Sequence, residues 1–247
     1  MRYFLELSYN GKRYHGWQKQ PHAASVQETI EHALSTLFQK QIEIVGAGRT
    51  DAGVHAKQLF AHVDLSNDID LLKLPHRLNA LLPSDIAVTS IVPVKEDAHA
   101  RFDAISRSYE YHLTIGKNPF AQNFAYQVYH KPDVNLMNQA AEHLFAYSDF
   151  QCFSKSKTDV KTYICKLKEA SWETNGSELI FHITADRFLR NMVRAIVGTL
   201  LDIGYQKMSV DEIHTIIKSK DRSRAGTSVP AQGLYLTKVT YPKDIYL

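Results

Sequence analysis

The apolar residues of this chain switch repeatedly between a two-residue period and a period close to 3.6 residues. Residues 2–9 alternate, which predicts a strand, and Asn10-Gly11 predicts the turn that follows it. Ser25 and Glu28 have the spacing of a capping box ahead of an apolar stripe at helical spacing. The stripe consists of Val26, Ile30, Ala33, Leu34, Leu37 and Phe38. Because both periods occur this early, the fold must combine strands with helices.

The same mixture continues to the end of the chain. Further strands are predicted at residues 42–45, 59–65, 86–92, 106–115, 165–172, 179–185 and 234–241. Helices are predicted around Leu78, over residues 134–145 and 188–203, and after a cap formed by Ser209 and Glu212. Strands and helices mixed in this way, with hairpin-like gaps, favour an α+β fold over a doubly wound parallel sheet. With 247 residues the chain is long enough for two αβ halves, predicted as residues 1–105 and 106–247.

Several simple features limit the class of protein. No apolar run is long enough to span a bilayer and neither a signal nor a transit peptide is visible, so a cytoplasmic protein is expected. The two cysteines, Cys152 and Cys165, lack metal-type spacing, and two free thiols are expected. The twelve histidines form no HExxH motif or Cys/His cluster, so no metal site is predicted.

The charge distribution permits a nucleic-acid partner. A formal net charge of +3 is mildly basic and also suits enzymes that act on neutral substrates. Arginines recur near the segments with the least ordinary composition, at Arg49, Arg101, Arg107, Arg187, Arg190 and Arg194. A polar stretch adds Lys155, Lys157, Lys161, Lys166 and Lys168. Most single lysines are expected to be solvated surface residues.

The most unusual segment of the chain is residues 46–56, Gly-Ala-Gly-Arg-Thr-Asp-Ala-Gly-Val-His-Ala. Its glycines follow an apolar strand, so the backbone can turn tightly and approach a ligand closely. Arg49 and Asp51 lie two residues apart in it. A carboxylate in a partly dry cleft stays ionised beside a cation, and an ionised Asp51 is able to act as a nucleophile or general base. Taken alone, an Asp among glycines more often caps a turn by accepting backbone hydrogen bonds.

Other known site types do not match this segment. It is not a P-loop, since no Gly-Lys-Ser/Thr follows, and it lacks the last glycine of a dinucleotide-binding motif. An Asp-Ala-Gly triplet is found in aspartic proteases, but no second such segment supplies the partner carboxylate. No GxSxG nucleophile motif occurs. The sequence therefore predicts chemistry without a cofactor.

Five segments of the chain, in order, resemble the tRNA pseudouridine synthase A family. They are residues 9–18 (YNGKRYHGWQ), 48–56 (GRTDAGVHA), 99–112 (HARFDA followed by RSYEYH), 188–198 (FLRNMVRAIVG) and 225–236 (AGTSVPAQGLYL). Together they span almost the whole chain. Two positions depart from the family pattern: Asn10 stands where Asp is usual, and Lys161 where Arg is common.

The resemblance implies a fold, a reaction and site residues. It implies two ferredoxin-like αβ halves with mainly antiparallel sheets facing a basic central cleft, and a homodimer that holds the anticodon stem-loop of tRNA. The reaction is isomerisation of uridine to pseudouridine at tRNA positions 38, 39 and 40, without metal or cofactor. By position, Asp51 is the catalytic carboxylate, Tyr109 lines the uridine pocket and Arg49 handles substrate. Arg194 is a candidate ion partner of Asp51.

Two other classes of function compete with this interpretation. A non-catalytic RNA-binding protein of the same architecture is disfavoured by Asp51, because an anion in a phosphate-binding cleft lowers affinity. An Asp-dependent hydrolase of a small substrate needs a second acid or a metal site, and neither is apparent in the sequence. Whether the carboxylate attacks the ribose, attacks the base or acts as a base stays open.

Overall fold

The computed structural model describes residues 1–66, 69–155 and 160–247. These residues form two units, one comprising Met1–Ile105 with Tyr235–Leu247 and the other comprising Ser106–Leu234. The ranges predicted from sequence, 1–105 and 106–247, assign Tyr235–Leu247 to the second half, whereas its contacts group it with the first. Within the described ranges, no helix combines the length and the apolar character needed to cross a membrane.

Nine strands and five α-helices make up the regular structure of the described residues. The strands are β1 (Arg2–Tyr9), β2 (Val45–Gly46), β3 (His55–Asp64), β4 (Ile86–Pro93), β5 (Ser106–Ile115), β6 (Tyr126–Val128), β7 (Leu167–Asn175), β8 (Glu178–Ala185) and β9 (Leu234–Thr240). The helices are α1 (Val26–Phe38), α2 (Leu74–Leu81), α3 (Val134–His143), α4 (Met192–Gly204) and α5 (Glu212–Ser219). Both units combine helices with mostly antiparallel strands, in agreement with the predicted α+β class.

In the first unit the strand order is β4-β1-β3-β9. β1 is antiparallel to both β3 and β4, and β2 adds an antiparallel pair to β3. β9 joins β3 in parallel, with His55 opposite Tyr235 and Ala56 opposite Leu236. The Val239 N–H also donates to Oε1 of Gln58 at 3.0 Å. These backbone and side-chain bonds explain why the last strand belongs to the first unit.

The predicted start of α1 is confirmed and the predicted strand after it is wrong in its bounds. Ser25 is the N-cap, and its hydroxyl accepts from the Glu28 N–H at 3.2 Å. A strand was predicted at residues 42–45, but β2 begins only at Val45. The reason is that the N–H groups of Ile42 and Ile44 bond side chains of α1, Ser35 at 3.0 Å and Glu31 at 3.1 Å, instead of a neighbouring strand.

In the second unit the strand order is β6-β5-β8-β7. β5 is antiparallel to β8 and β8 to β7, while β6 is parallel to β5. The predicted helix 188–203 begins four residues later, at Met192, because Asn191 has a φ of +68°, outside the right-handed helical region. Most of α4 is buried.

The two cysteines are free, as predicted, and both are buried. Burial raises the pKa of the Cys152 thiol to about 12, and that of Cys165 to about 12 as well. Both side chains therefore act as small apolar residues of the second unit rather than as reactive thiols.

Candidate active site

The structure places the predicted site residues in both units. Arg49 and Asp51 lie in the first unit, in the loop of residues 47–54 between β2 and β3, which we call the Asp51 loop. Arg49 is exposed and Asp51 is half-buried. Tyr109 lies on β5 and Arg194 on α4, both in the second unit. The pairing of Asp51 with Arg194 stays a prediction.

The Asp51 loop is fixed by backbone hydrogen bonds at both ends. At its start the Ala47 N–H donates to the carbonyl of Phe60 at 2.8 Å. At its end the Val54 N–H donates to the carbonyl of Asp51 at 3.2 Å, across a turn in which Gly53 has a φ of +80°. Asp51 therefore opens a tight turn directly before β3. Its carbonyl accepts the turn's hydrogen bond, so the turn does not depend on the carboxylate for that contact.

A second segment, residues 10–18, packs against the Asp51 loop, and we call it the anchoring loop. The Trp17 N–H donates to the Thr50 carbonyl at 3.3 Å, and the Gly53 N–H donates to the Tyr14 carbonyl at 3.3 Å. The Tyr9 hydroxyl, at the end of β1, lies 2.8 Å from the Thr50 hydroxyl. Thr50 and Gly53, which flank Asp51 and Ala52, are thus both hydrogen-bonded to the anchoring loop.

The close approach of the two loops requires glycine in the anchoring loop. Gly16 has a φ of +92°, and a Cβ there would collide with the Thr50 carbonyl oxygen. A Cβ on Gly11 would collide in the same way with the carbonyl oxygen of Val54. No side chain fits at either position without moving the backbone beside Asp51. This is the physical reason for the glycines of residues 9–18, one of the segments singled out from sequence.

The anchoring loop is itself held by Asp85. The Tyr14 hydroxyl donates to Oδ1 of Asp85 at 2.7 Å, Nε of Arg13 donates to Oδ2 at 2.6 Å, and the Asn10 N–H donates to the Asp85 carbonyl at 2.9 Å. Burial acts to raise the pKa of Asp85, but the hydrogen bonds from Arg13 and Tyr14 prevail and hold it below its ordinary value. Burial and the bond to Asp85 raise the pKa of Tyr14 to about 12.

His55 links the two loops to the last strand. Its Nδ1 accepts from the Gly11 N–H at 3.1 Å, and its ring stacks on Tyr235 with centroids 4.7 Å apart and 21° between planes. Lys57, two residues further along β3, has its Nζ over the same ring, 5.4 Å from the Tyr235 centroid. The sequence analysis assigned no role to His55, Tyr14 or Asp85. His55 and Tyr14 lie in segments whose composition is unusual, and this was the signal available in the sequence. Asp85 lies in no such segment.

In the second unit Tyr109 lies beside the segment that leads into α4. It is half-buried, stands opposite Ile183 of β8, and meets the ring of Phe188 edge-on with centroids 5.1 Å apart. Nη1 of Arg107 donates to the Asp186 carbonyl at 2.9 Å. Tyr109 is therefore a partly accessible aromatic ring held against a second ring, which suits a stacking role.

Residues 225–230 lie along α4 and contact Arg194. Nε of Arg194 donates to the Val229 carbonyl at 2.7 Å, and the Val229 N–H donates back to the Arg194 carbonyl at 3.2 Å. The Tyr111 hydroxyl donates to the Pro230 carbonyl at 2.7 Å. Arg194 is half-buried. Its guanidinium is thus hydrogen-bonded to the 225–230 segment through Nε, and does not simply extend along the helix surface.

A cluster of polar side chains links the start of α4 to the same segment. The Ser228 hydroxyl oxygen accepts from Nδ2 of Asn191 at 2.6 Å and from Nη2 of Arg222 at 2.7 Å. Nη1 of Arg222 donates to the Ala225 carbonyl at 3.2 Å. The bond between Ser228 and Asn191 was not predicted from sequence, because 37 residues separate them and only the fold brings them together.

The structure thus brings the unusual sequence segments together in pairs, 9–18 with 48–56 in the first unit and 188–198 with residues 225–230 in the second. A family model described as tRNA pseudouridine synthase matches residues 7–103 and 140–242. The chain belongs to this family.

Named relatives match nearly the whole chain. A protein of Porphyromonas gingivalis named tRNA pseudouridine synthase A is 54% identical over 250 residues, covering 100% of this chain and 99% of the relative. Proteins of the same name from Parabacteroides distasonis and Bacillus subtilis are 52% and 40% identical, over 99% and 98% of this chain. The similarity therefore extends through both units and includes every segment described above.

Proposed function

We propose that this chain isomerises uridine to pseudouridine in the anticodon stem-loop of tRNAs, at positions 38, 39 and 40. The observation that carries the proposal is the family match through residues 7–103 and 140–242, which includes the Asp51 loop and its anchoring loop. The relatives named tRNA pseudouridine synthase A match over nearly their full length. We further propose that each chain consists of two ferredoxin-like halves facing a basic cleft, and that two chains form a cytoplasmic homodimer.

The reaction is an internal rearrangement of the nucleotide. The bond between N1 of uracil and C1′ of ribose breaks, the base turns, and a bond forms between C5 and C1′. The proton on C5 leaves and N1 gains one, so atoms and charge balance without an oxidant or reductant. This chemistry needs a group that acts on the sugar or the base and an environment that holds the freed uracil.

We assign the reacting group to Asp51. Support comes from the way the Asp51 loop is held: the neighbouring Thr50 carbonyl accepts from Trp17, and Gly53 donates to Tyr14. A carboxylate in a fixed turn is positioned before substrate arrives, and a displacement of roughly 1 Å in such a group costs about 100-fold in rate. Attack on the ribose, attack on the base and proton removal all remain compatible with a carboxylate.

The other site residues have supporting roles in this proposal. Tyr109, held edge-on by Phe188, offers a ring face on which a flipped-out uracil stacks, which offsets part of the few kcal/mol needed to unstack it. Arg49, exposed in the Asp51 loop, contacts substrate phosphate. Arg194 is the candidate cation for the Asp51 carboxylate, with its Nε already oriented by Val229.

The test is incubation of the purified chain with unmodified tRNA transcripts, followed by mapping of pseudouridine at each position. We expect product at positions 38 to 40 and none in a transcript that carries cytidine at those positions. Tight tRNA binding without product would indicate the non-catalytic RNA-binding alternative. If the chain neither binds tRNA nor forms pseudouridine, the result would favour the alternative of an Asp-dependent hydrolase of a small substrate.

A further inference from the structure

We propose that His143, Asp211 and His214 form a binding site for one divalent transition metal, with Zn²⁺ the best match. One ligand atom from each of these side chains lies within 4.8 Å of the other two. The two histidines are half-buried and the aspartate is exposed. The site does not depend on the proposed isomerisation, and it departs from the absence of metal expected from sequence.

The fold, rather than a sequence motif, assembles the three side chains. His143 is the last residue of α3, Asp211 directly precedes α5, and His214 is its third residue. Asp211 and His214 are three apart, a spacing that puts two side chains on the same face of a helix. A metal bound here would therefore connect the end of α3 to the start of α5 within the second unit.

The donor set decides the class of metal. Two imidazole nitrogens and one carboxylate oxygen suit Zn²⁺, and also Co²⁺ or Ni²⁺, whereas Mg²⁺ and Ca²⁺ prefer oxygen ligands. Zinc bonds of about 2.0–2.2 Å place tetrahedral ligand atoms roughly 3.3–3.6 Å apart. Separations of up to 4.8 Å must close by about 1 Å, and rotation of the exposed Asp211 side chain between rotamers adjusts the two separations that involve its carboxylate. Water completes the coordination.

A neighbouring tyrosine gives independent support. The Tyr147 hydroxyl lies 2.8 Å from Nδ1 of His214, and in the tautomer whose Nδ1–H donates to this hydroxyl, Nε2 has the lone pair for a metal. Metal-binding histidines usually have their second ring nitrogen hydrogen-bonded, which fixes the ring orientation. The ring of His143 lies 4.5 Å from that of His214, centroid to centroid, with 54° between their planes. The simpler alternative is that the two rings only pack against each other.

Isothermal titration of the full chain, free of any histidine tag, with ZnCl₂ separates the two possibilities. We expect one zinc ion per chain and a higher midpoint of thermal unfolding with zinc than with EDTA. His143→Gln and Asp211→Asn should each weaken zinc binding at least about 10-fold, and Tyr147→Phe by about 10-fold while keeping all three ligands. His76→Gln, which alters an exposed histidine of α2, is the matched control and should bind like the wild type.

Two further measurements make each outcome decisive. Thermal unfolding in EDTA reports whether a variant is folded, and Asp211→Asn changes an exposed side chain, so it tests the site even if a histidine variant fails to fold. The visible absorption of tetrahedral Co²⁺, lost in Asp211→Asn, would support the assigned ligands. Zinc binding that is absent in the wild type, or equal in the wild type and Asp211→Asn, would overturn the proposal in favour of a packed pair of rings.

Discussion

Nδ1 of His55 accepts a hydrogen bond from the Gly11 N–H at 3.1 Å, so the strand that follows the Asp51 loop directly holds the anchoring loop. A nitrogen that accepts carries no proton, which means that the His55 imidazole is neutral with its proton on Nε2. The side chain is only 2% exposed. This contact gives the first of five predictions about stability and turnover.

His55→Ala should destabilise the fold by about 2–3 kcal/mol, because it removes a buried acceptor and the ring stacked on Tyr235. His55→Asn places an oxygen near the position of Nδ1 and should be about 1 kcal/mol more stable than the alanine variant. Urea unfolding followed by circular dichroism measures both. Equal stabilities for the two variants would show that the hydrogen bond to Gly11 contributes nothing.

Gly11→Ala should destabilise the fold by about 1–3 kcal/mol, since its Cβ would collide with the Val54 carbonyl oxygen. Gly48→Ala is the matched control in the neighbouring segment: a Cβ there meets no atom within 4 Å, so the change should be close to neutral. The comparison is again made by urea unfolding. Similar losses in both variants would mean that the close approach of the loops is not what requires glycine.

Asp51→Ala should lower turnover by about 10³-fold or more while leaving the fold and most tRNA affinity intact. The turn survives because the Asp51 carbonyl, not its carboxylate, accepts from Val54. Asp51→Glu should lose about 100-fold, because it shifts the carboxylate by roughly 1 Å. Single-turnover assays on a tRNA transcript measure this, with filter binding for affinity. Normal turnover in either variant removes Asp51 from the mechanism, and lost circular dichroism would instead favour a turn-capping role.

If Arg194 is the cation of the Asp51 carboxylate, as proposed, Arg194→Ala should move the acidic limb of the turnover profile to higher pH, because the charge that favours the ionised carboxylate is removed. Arg194→Lys should recover part of the rate only, since an ammonium cannot form two parallel hydrogen bonds to a carboxylate. Thr227→Ala, which changes an exposed side chain in the segment contacted by Arg194, serves as control. An unchanged pH profile in Arg194→Ala would refute the proposed pairing of Arg194 with Asp51.

Stability should fall in acid because of His62. Burial, followed by the charges of Arg2 and His99, lowers the pKa of His62 to about 4, against the opposing effect of Asp64 and Asp103. Below pH 6.5 the unfolded chain binds a proton that the folded chain rejects, so stability decreases as the pH falls from about 6.5 to about 4.

The variant His62→Asn isolates this contribution. It keeps an acceptor for the Ala100 N–H, which donates to Nδ1 of His62 at 3.1 Å, but it does not titrate. Between pH 7 and pH 4.5 the wild type should lose about 2–3 kcal/mol more than the variant in urea unfolding. Parallel pH dependences for the two proteins would show that His62 does not contribute to acid sensitivity.

The sequence determined the local structure and the family. The alternation of residues 2–9 gave β1 its observed bounds, and Ser25 with Glu28 located the start of α1. Both depend on contacts between near neighbours, so a single sequence contains the required information. Asp51 was singled out for the same reason, because glycines and charges lie within a few residues of it.

Only the tertiary structure decided which residues that lie far apart in the chain come into contact. β9 pairs with β3 although about 180 residues separate Ala56 from Leu236, and Asp85 bonds Tyr14 although 71 residues separate them. Ser228 likewise contacts Asn191, 37 residues earlier in the chain, and His143 meets Asp211 and His214. These contacts depend on which buried surfaces pack together in three dimensions, and the spacing of residues along the chain does not determine that packing.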